Sequence, residues 1–170
     1  MNKFIWSNYK PYVMKKSILL LGTVVFFSAF LQAQSNKEEI ELFQSIWGME
    51  KKSIVAEFIV LEGETGTAFW TLYDQYETER KAIGQKRIAL IEKYAEKYLE
   101  LDDVSTDELL NESIAINNQS SKLIQKYVKS IKKVAGAKVA AQFYQLENYF
   151  RSATNVALME QMPFIGELEK

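Results

Sequence analysis

Residues 67–100 read TAFWTLYDQYETERKAIGQKRIALIEKYAEKYLE, a stretch with no proline and one glycine, Gly84. At about 100° per residue, Phe69, Tyr73, Tyr76, Ile83, Leu90, Ile91, Tyr94 and Tyr98 fall on one side. The opposite side is Glu, Lys, Gln and Thr. An apolar stripe of this width on a long polar helix must be covered by other helices. The fold is therefore all-α, and the rest of the chain supplies the partners.

Upstream, Ile40, Phe43, Trp47, Ile54, Phe58 and Leu61 form a second apolar arc, which predicts a helix over 36–61. The segment Glu62-Gly63-Glu64-Thr65-Gly66 breaks it, and Thr65 or Thr67 is the expected cap of the next helix. Downstream, Asp102-Asp103-Val104 is a turn, and Ser105 with Glu108 has capping-box spacing. A third helix then extends to about residue 135, where Gly136 is expected to end it in the left-handed conformation. A fourth carries Val139, Ala140, Phe143, Leu146, Phe150, Ala157 and Leu158 on one arc and stops before Pro163. No alternating strand pattern and no sequence repeat appears. The reading is about four helices in one domain over 34–170.

Residues 15–33 begin Lys15-Lys16, continue through an apolar run from Ile18 to Leu31, and end Gln32-Ala33 before Gln34. A basic start, a short apolar core and a small residue before a polar chain make up a secretory signal peptide. The run is shorter than the roughly 20 residues of a spanning helix, so an uncleaved anchor is the weaker reading. Leu31 is larger than the residue usual three positions before the cut. Met14 immediately precedes Lys15-Lys16, so residues 1–13 are expected to be a mis-called start. The expected location is periplasmic or secreted.

The chain of 170 residues has 21 Lys+Arg, 22 Asp+Glu, no His and no Cys. Ser-His-Asp and Cys-His triads, Cys or His zinc sites, disulfides and thiol chemistry are all excluded. Removing residues 1–33 takes away four lysines and no acid, leaving a net charge of about −5. An acidic exported chain is a poor partner for nucleic acid, which needs a basic surface. The acidic clusters Glu38-Glu39-Glu41, Glu62/Glu64 and Asp102-Asp103/Asp107-Glu108 lack calcium-loop spacing and read as solvated helix starts. No metal, cofactor, small-molecule substrate or catalytic residue is expected, and the chain reads as a non-enzyme.

Three features remain as candidate sites. Arg80 and Arg87 lie within about 20° of the centre of the 67–100 stripe. Glu147 lies about 40° from Phe143, inside the arc of the fourth helix, with Arg151 at its border. Desolvating such a charge alone costs several kcal/mol, so Glu147 is expected to pair with Arg80 or Arg87 and fix how the two helices dock. A carboxylate-binding or sensing pocket is the alternative use of the same arginines. Trp70, about 100° from Phe69, and Tyr144, about 100° from Phe143, lie off their core arcs and are the candidate partner-binding aromatics. The polar run Asn117-Asn118-Gln119-Ser120-Ser121 in mid-helix has no evident use in the sequence.

The segment Phe69-Trp70-Thr71-Leu72-Tyr73-Asp74-Gln75-Tyr76 resembles the "FWPVYxxY" segment of small exported helical proteins of bacteria. Lys138-Val139-Ala140-Ala141-Gln142-Phe143-Tyr144-Gln145-Leu146-Glu147-Asn148, with Met162-Pro163-Phe164, is similar to their "KAARFFQLEN…IPLV" ending. These are relatives of the Spy/CpxP group with its LTxxQ motif; Bacteroidetes-type members are labelled sensors of extracytoplasmic-function sigma factors. The motif is degenerate here, at Leu61-Glu62-Gly63-Glu64-Thr65 and Val104-Ser105-Thr106-Asp107-Glu108. The resemblance implies a helical hairpin or bundle and an ATP-independent, chaperone-like role in envelope stress. Its alternative is a sensor acting on a membrane-bound anti-sigma system. The implied partners are protein clients or that membrane-bound regulatory protein, with a homodimer left open.

If the signal reading is right, mass spectrometry of protein recovered from the cell envelope will find the N-terminus at or near Gln34. A mature chain that keeps Lys15-Lys16 would defeat it.

Overall fold

In the computed structural model, residues 36–160 and 162–167 are described, with side chains from Trp47 onward. The expected signal segment, 1–33, lies outside them. The described residues are all helical apart from short connections and contain no strand. Helix α1 spans Asn36–Phe58, α2 spans Gly63–Lys97 and runs into a 3₁₀ turn over Tyr98–Glu100, and α3 spans Asp103–Met159. None of these helices is long and apolar enough to cross a membrane.

Where four helices were expected there are three helical elements, because the last two form one run, α3. That run is nonetheless not straight. Gly136 has φ 84° and ψ 172°, so the helical path is interrupted there. A straight helix would separate Ser121 and Arg151 by about 45 Å at 1.5 Å per residue, yet Arg151 Nη1 donates to Ser121 Oγ at 3.0 Å. The chain therefore folds back at Gly136, and residues 103–135 and 137–159 form two antiparallel arms. The expected left-handed helical stop is corrected in one respect. The ψ value places Gly136 in the extended positive-φ region that is essentially reserved for glycine.

Long-range contacts give the order of the segments. Lys52 pairs with Asp74 across the α1–α2 turn, Lys126 with Glu79 between α2 and the first arm, and Trp47 meets Phe150 edge-on between α1 and the second arm. Each of these three contacts joins antiparallel neighbours, while α2 also meets the second arm, to which it runs parallel, at Tyr76–Phe143 and Tyr76–Glu147. The C-terminal residues fold onto the far end of α2, where the hydroxyls of Tyr94 and Tyr98 donate to the carbonyls of Pro163 and Phe164 at 2.8 and 2.7 Å.

The helix ends differ in detail from the sequence reading. Helix α2 begins at Gly63 with Glu62 as N-cap and no side-chain cap, so neither Thr65 nor Thr67 caps it. Its first turn instead approaches the preceding chain closely. A Cβ on Gly66 would lie 2.8 Å from the Leu61 carbonyl oxygen. At α3 the capping box is made by Asp102 and Ser105, not Ser105 and Glu108: Ser105 N–H donates to Asp102 Oδ1 at 2.8 Å, and Asp102 N–H to Ser105 Oγ at 3.1 Å. Helix α1 stops at Phe58, where Gln142 Nε2 donates to the Phe58 carbonyl at 3.0 Å, supplying one of the partners a helix C-terminus lacks.

Val55, Ile59, Phe69, Tyr73, Tyr76, Leu123, Ile124, Tyr127, Ile131, Val139, Ala140, Phe143 and Phe150 form one core where the four segments meet. Aromatic pairs dominate it: Tyr76 meets Phe143 and Tyr127 edge-on at centroid separations of 5.1 and 5.4 Å. Such geometry adds to area burial. Along α1 and into the residue after it, the buried face is Lys51, Val55 and Ile59, turned away from the expected arc, and Phe58 is 40% exposed.

The reversal at residue 136 yields a prediction. A Cβ on Gly136 would meet nothing within 4 Å, so substitution carries only the backbone penalty. Gly136→Ala and Gly136→Asn should both lose about 1–3 kcal/mol in urea unfolding. Asparagine relieving that loss would show an ordinary left-handed position instead.

Candidate functional site

Three charged side chains lie in the core: Lys51 from α1, Glu77 from α2 and Glu147 from the second arm. Lys51 is 1% exposed and Glu147 2%. The Lys51 ammonium donates to Glu77 Oε1 at 2.6 Å and to Glu147 Oε2 at 2.7 Å. It also sits over the rings of Tyr73, Tyr76 and Phe150 at 5.9, 5.1 and 5.4 Å from their centroids, within cation–π range. Glu147 Oε2 accepts a further short bond, 2.5 Å, from the Tyr76 hydroxyl.

Glu147 is thus buried and ion-paired, but its cation is Lys51 and not Arg80 or Arg87. Arg80 turns to Glu77 one turn before it on the same helix, its Nε and Nη2 donating to the two carboxylate oxygens at 2.9 and 3.0 Å. Arg87 donates to Asn117 Oδ1 at 2.8 Å. The helical angle placed Glu147 correctly in the core. It could not choose among cations on two different helices. The sequence reading missed Lys51, which lies about 40° from Trp47, just beyond the edge of the arc drawn for α1. A lysine is almost never fully buried unless paired, and the pairing that buries this one depends on how α1, α2 and the second arm dock.

The electrostatics follow from this geometry. Burial pushes the Glu147 carboxyl above its ordinary value, opposed by the Lys51 charge and the bonds from Lys51 and Tyr76, while the Glu77 charge adds to the upward push. Glu77 feels the same burial, but Lys51 and Arg80 together hold it below its ordinary value. Burial first, then the neighbouring carboxylates, raises the Tyr73 and Tyr76 phenols far beyond their usual range. Both stay protonated. Among the described residues the Tyr73 hydroxyl and Glu147 Oε1 are buried without a hydrogen-bond partner, an arrangement that costs stability.

Beside this cluster lies a cavity of about 120 Å³ between α1, α2 and both arms. Lys51, Arg80, Arg87, Arg151 and Glu147 line it with Trp47, Ile83, Leu123 and Phe150. Arg151 donates to Ser121 Oγ and to Asn148 Oδ1, and the Arg87 bond to Asn117 is likewise to a neutral acceptor. Among the described residues neither arginine meets a carboxylate. The polar run of the first arm therefore has a use. Asn117 and Ser121 accept from the two arginines, and Gln119 accepts from Lys86 at 2.9 Å. A larger depression of about 290 Å³ at the turn before α3 is lined by the half-buried Lys97 and Ser105 and by exposed residues including Glu100 and Glu108.

The two aromatic candidates separate. Trp70 is half-buried against the core, edge-on to Phe69 and Tyr73, with Lys52 Nζ 5.4 Å from its ring centroid. It is occupied within the molecule. Tyr144 is 49% exposed. Among the described residues no group of three or more acids is placed to hold a metal ion. No protein-family model matches the chain, and no curated protein or solved structure matches it.

The cluster predicts unequal losses on substitution. Lys51→Met leaves Glu147 buried with only Tyr76, and should lose roughly 3–5 kcal/mol in chemical unfolding. Glu147→Gln keeps an acceptor for Lys51 and Tyr76 and should lose no more than about 1–2 kcal/mol. The exposed Glu96→Gln should stay within about 0.5 kcal/mol. Equal losses for Lys51→Met and Glu96→Gln would contradict the pairing scheme.

Proposed function

We propose that this is a non-enzymatic, exported envelope stress-response protein resembling the Spy/CpxP group, binding other proteins through apolar and aromatic helical surface without ATP. In this reading the arms of α3 count as two helices joined at Gly136, the four-helix hairpin or bundle that the resemblance implies. The observation that carries the reading is an uncovered apolar stripe. On the second arm Tyr149, Val156 and Met159 are exposed and fall within about 80° of one another, and Phe164 and Ile165 just beyond are exposed as well. Tyr144 adds an aromatic on a neighbouring face. Contiguous apolar surface on a small protein marks a contact site for a partner. A charged, negatively balanced remainder keeps such a chain soluble while the stripe is free.

A second reading, a sensor acting on a membrane-bound anti-sigma system, is favoured by the arginine-lined cavity, since a sensor needs a place for its signal. Capture of one defined membrane protein from envelope extracts would select it.

The test of the first reading is suppression of aggregation of a chemically unfolded client. At near-stoichiometric ratios the protein should reduce light scattering without nucleotide. Tyr149→Ser with Val156→Ser and Met159→Ser should lose most of that effect while the thermal midpoint holds. Unchanged suppression by this variant would sink the stripe as the binding surface.

A further inference from the structure

Charge accounting separates the buried cluster from the cavity beside it. Lys51 and Arg80 are matched by Glu77 and Glu147, so the cluster is close to neutral. Arg87 and Arg151 are left over. Each is half-buried, both line the same cavity, and among the described residues each is held only by neutral oxygens. Burial and the neighbouring Arg151 charge together lower the pKa of Arg87, the signature of two like charges held near one another. A guanidinium has five N–H donors, so the amide and hydroxyl oxygens bonded to this pair leave several donors free. Placing two unneutralised guanidinium groups together is unfavourable unless something negative visits them.

The walls limit what that anion is. The rest of the wall is mixed: Leu123 and Phe150 are apolar, Trp47 is apolar apart from its indole N–H, and Ser120, Thr154 and Asn155 add only neutral polar groups. Glu147, already shared by Lys51 and Tyr76, repels a second negative group at that end. The volume, about 120 Å³, is somewhat below the roughly 150 Å³ of a cavity that holds benzene. A molecule of about six heavy atoms fits, with one charged end.

We infer that this cavity binds a short aliphatic monocarboxylate, its head bonded by Arg87 and Arg151 and its tail against Trp47, Leu123 and Phe150. Arginine forks match carboxylates in plane and spacing, and the neutral partners of both arginines pre-orient them. The site stands apart from the client-binding stripe: a chain that fails to suppress aggregation can still take the acid here.

The test is calorimetric titration of the purified full chain with sodium butyrate, against sodium acetate, sodium phosphate and sodium chloride at matched ionic strength. Butyrate should bind saturably, acetate more weakly because its tail is too short to fill the walls, and chloride not at all. Arg87→Gln and Arg151→Gln should each weaken butyrate binding about tenfold or more, the loss of one charge-assisted bond. Methyl butyrate, the neutral ester of similar shape, should not bind to the wild type, which keeps the test decisive if a variant unfolds. Phosphate binding tighter than butyrate, acetate equal to butyrate, ester binding equal to acid, or folded variants that bind like the wild type would each overturn the proposal.

Discussion

The Lys51 ammonium is the point on which three of the four packed segments converge. It comes from α1, bonds one carboxylate on α2 and another on the second arm, and is walled by rings from both. A long helix can slide along a neighbour or roll about its axis with little loss of apolar contact, because one Leu or Ile serves much like another. A buried ion pair cannot slide. Shifting α1 by one turn, about 5.4 Å, would strand the Lys51 ammonium and the Glu147 carboxylate in an apolar core, each at a penalty of several kcal/mol. The apolar surface drives association, and Lys51 selects one register from those the apolar surface would accept. The role resembles that of a lone polar residue in a coiled-coil seam.

That register depends in turn on the reversal at Gly136. Glu147 reaches Lys51 only because the second arm lies back alongside the first, and the reversal needs a conformation that β-carbon-bearing residues avoid. The two constraints are of different kinds. Gly136 acts through the backbone and sets which segments are neighbours. Lys51 acts through electrostatics and sets how those neighbours align. Tyr94 and Tyr98 complete the scheme at the opposite end, holding the residues that follow the second arm against α2.

Much of this was legible in the sequence because helical periodicity is a local property. The class of fold, the approximate helix extents, the break at Gly136 and the burial of Glu147 all follow from counting at 100° per residue. The identity of Glu147's partner did not follow, because it depends on how helices far apart in sequence dock. Arg80 had an acid, Glu77, three residues before it, a spacing that places the two side chains together on any helix, and that local pairing took it out of contention. The α1 arc was centred on Trp47 and Ile54, whereas the buried face is Lys51, Val55 and Ile59. The choice between neighbouring faces was made by Glu77 and Glu147, which no periodicity within α1 encodes. The polar run 117–121 looked purposeless for a similar reason: its partners, Lys86, Arg87 and Arg151, stand on other segments.

The same separation of local from docked properties bears on how the molecule divides its charges. The chain beyond residue 33 is acidic overall, yet its cavity carries two cations in excess. An acidic surface repels anions at long range, and screening confines that repulsion to about 10 Å at ordinary ionic strength. The half-buried arginines are screened less than surface groups, so an anion that reaches the mouth meets an attraction that salt weakens only in part. Because among the described residues Arg87 and Arg151 bond only neutral groups of the first and second arms, neutralising them leaves the Lys51 ion pairs intact. The buried cluster that aligns the helices and the cavity that can take a ligand are therefore adjacent but separable. Arg80 connects them, since it lines the cavity while its guanidinium is bound to Glu77.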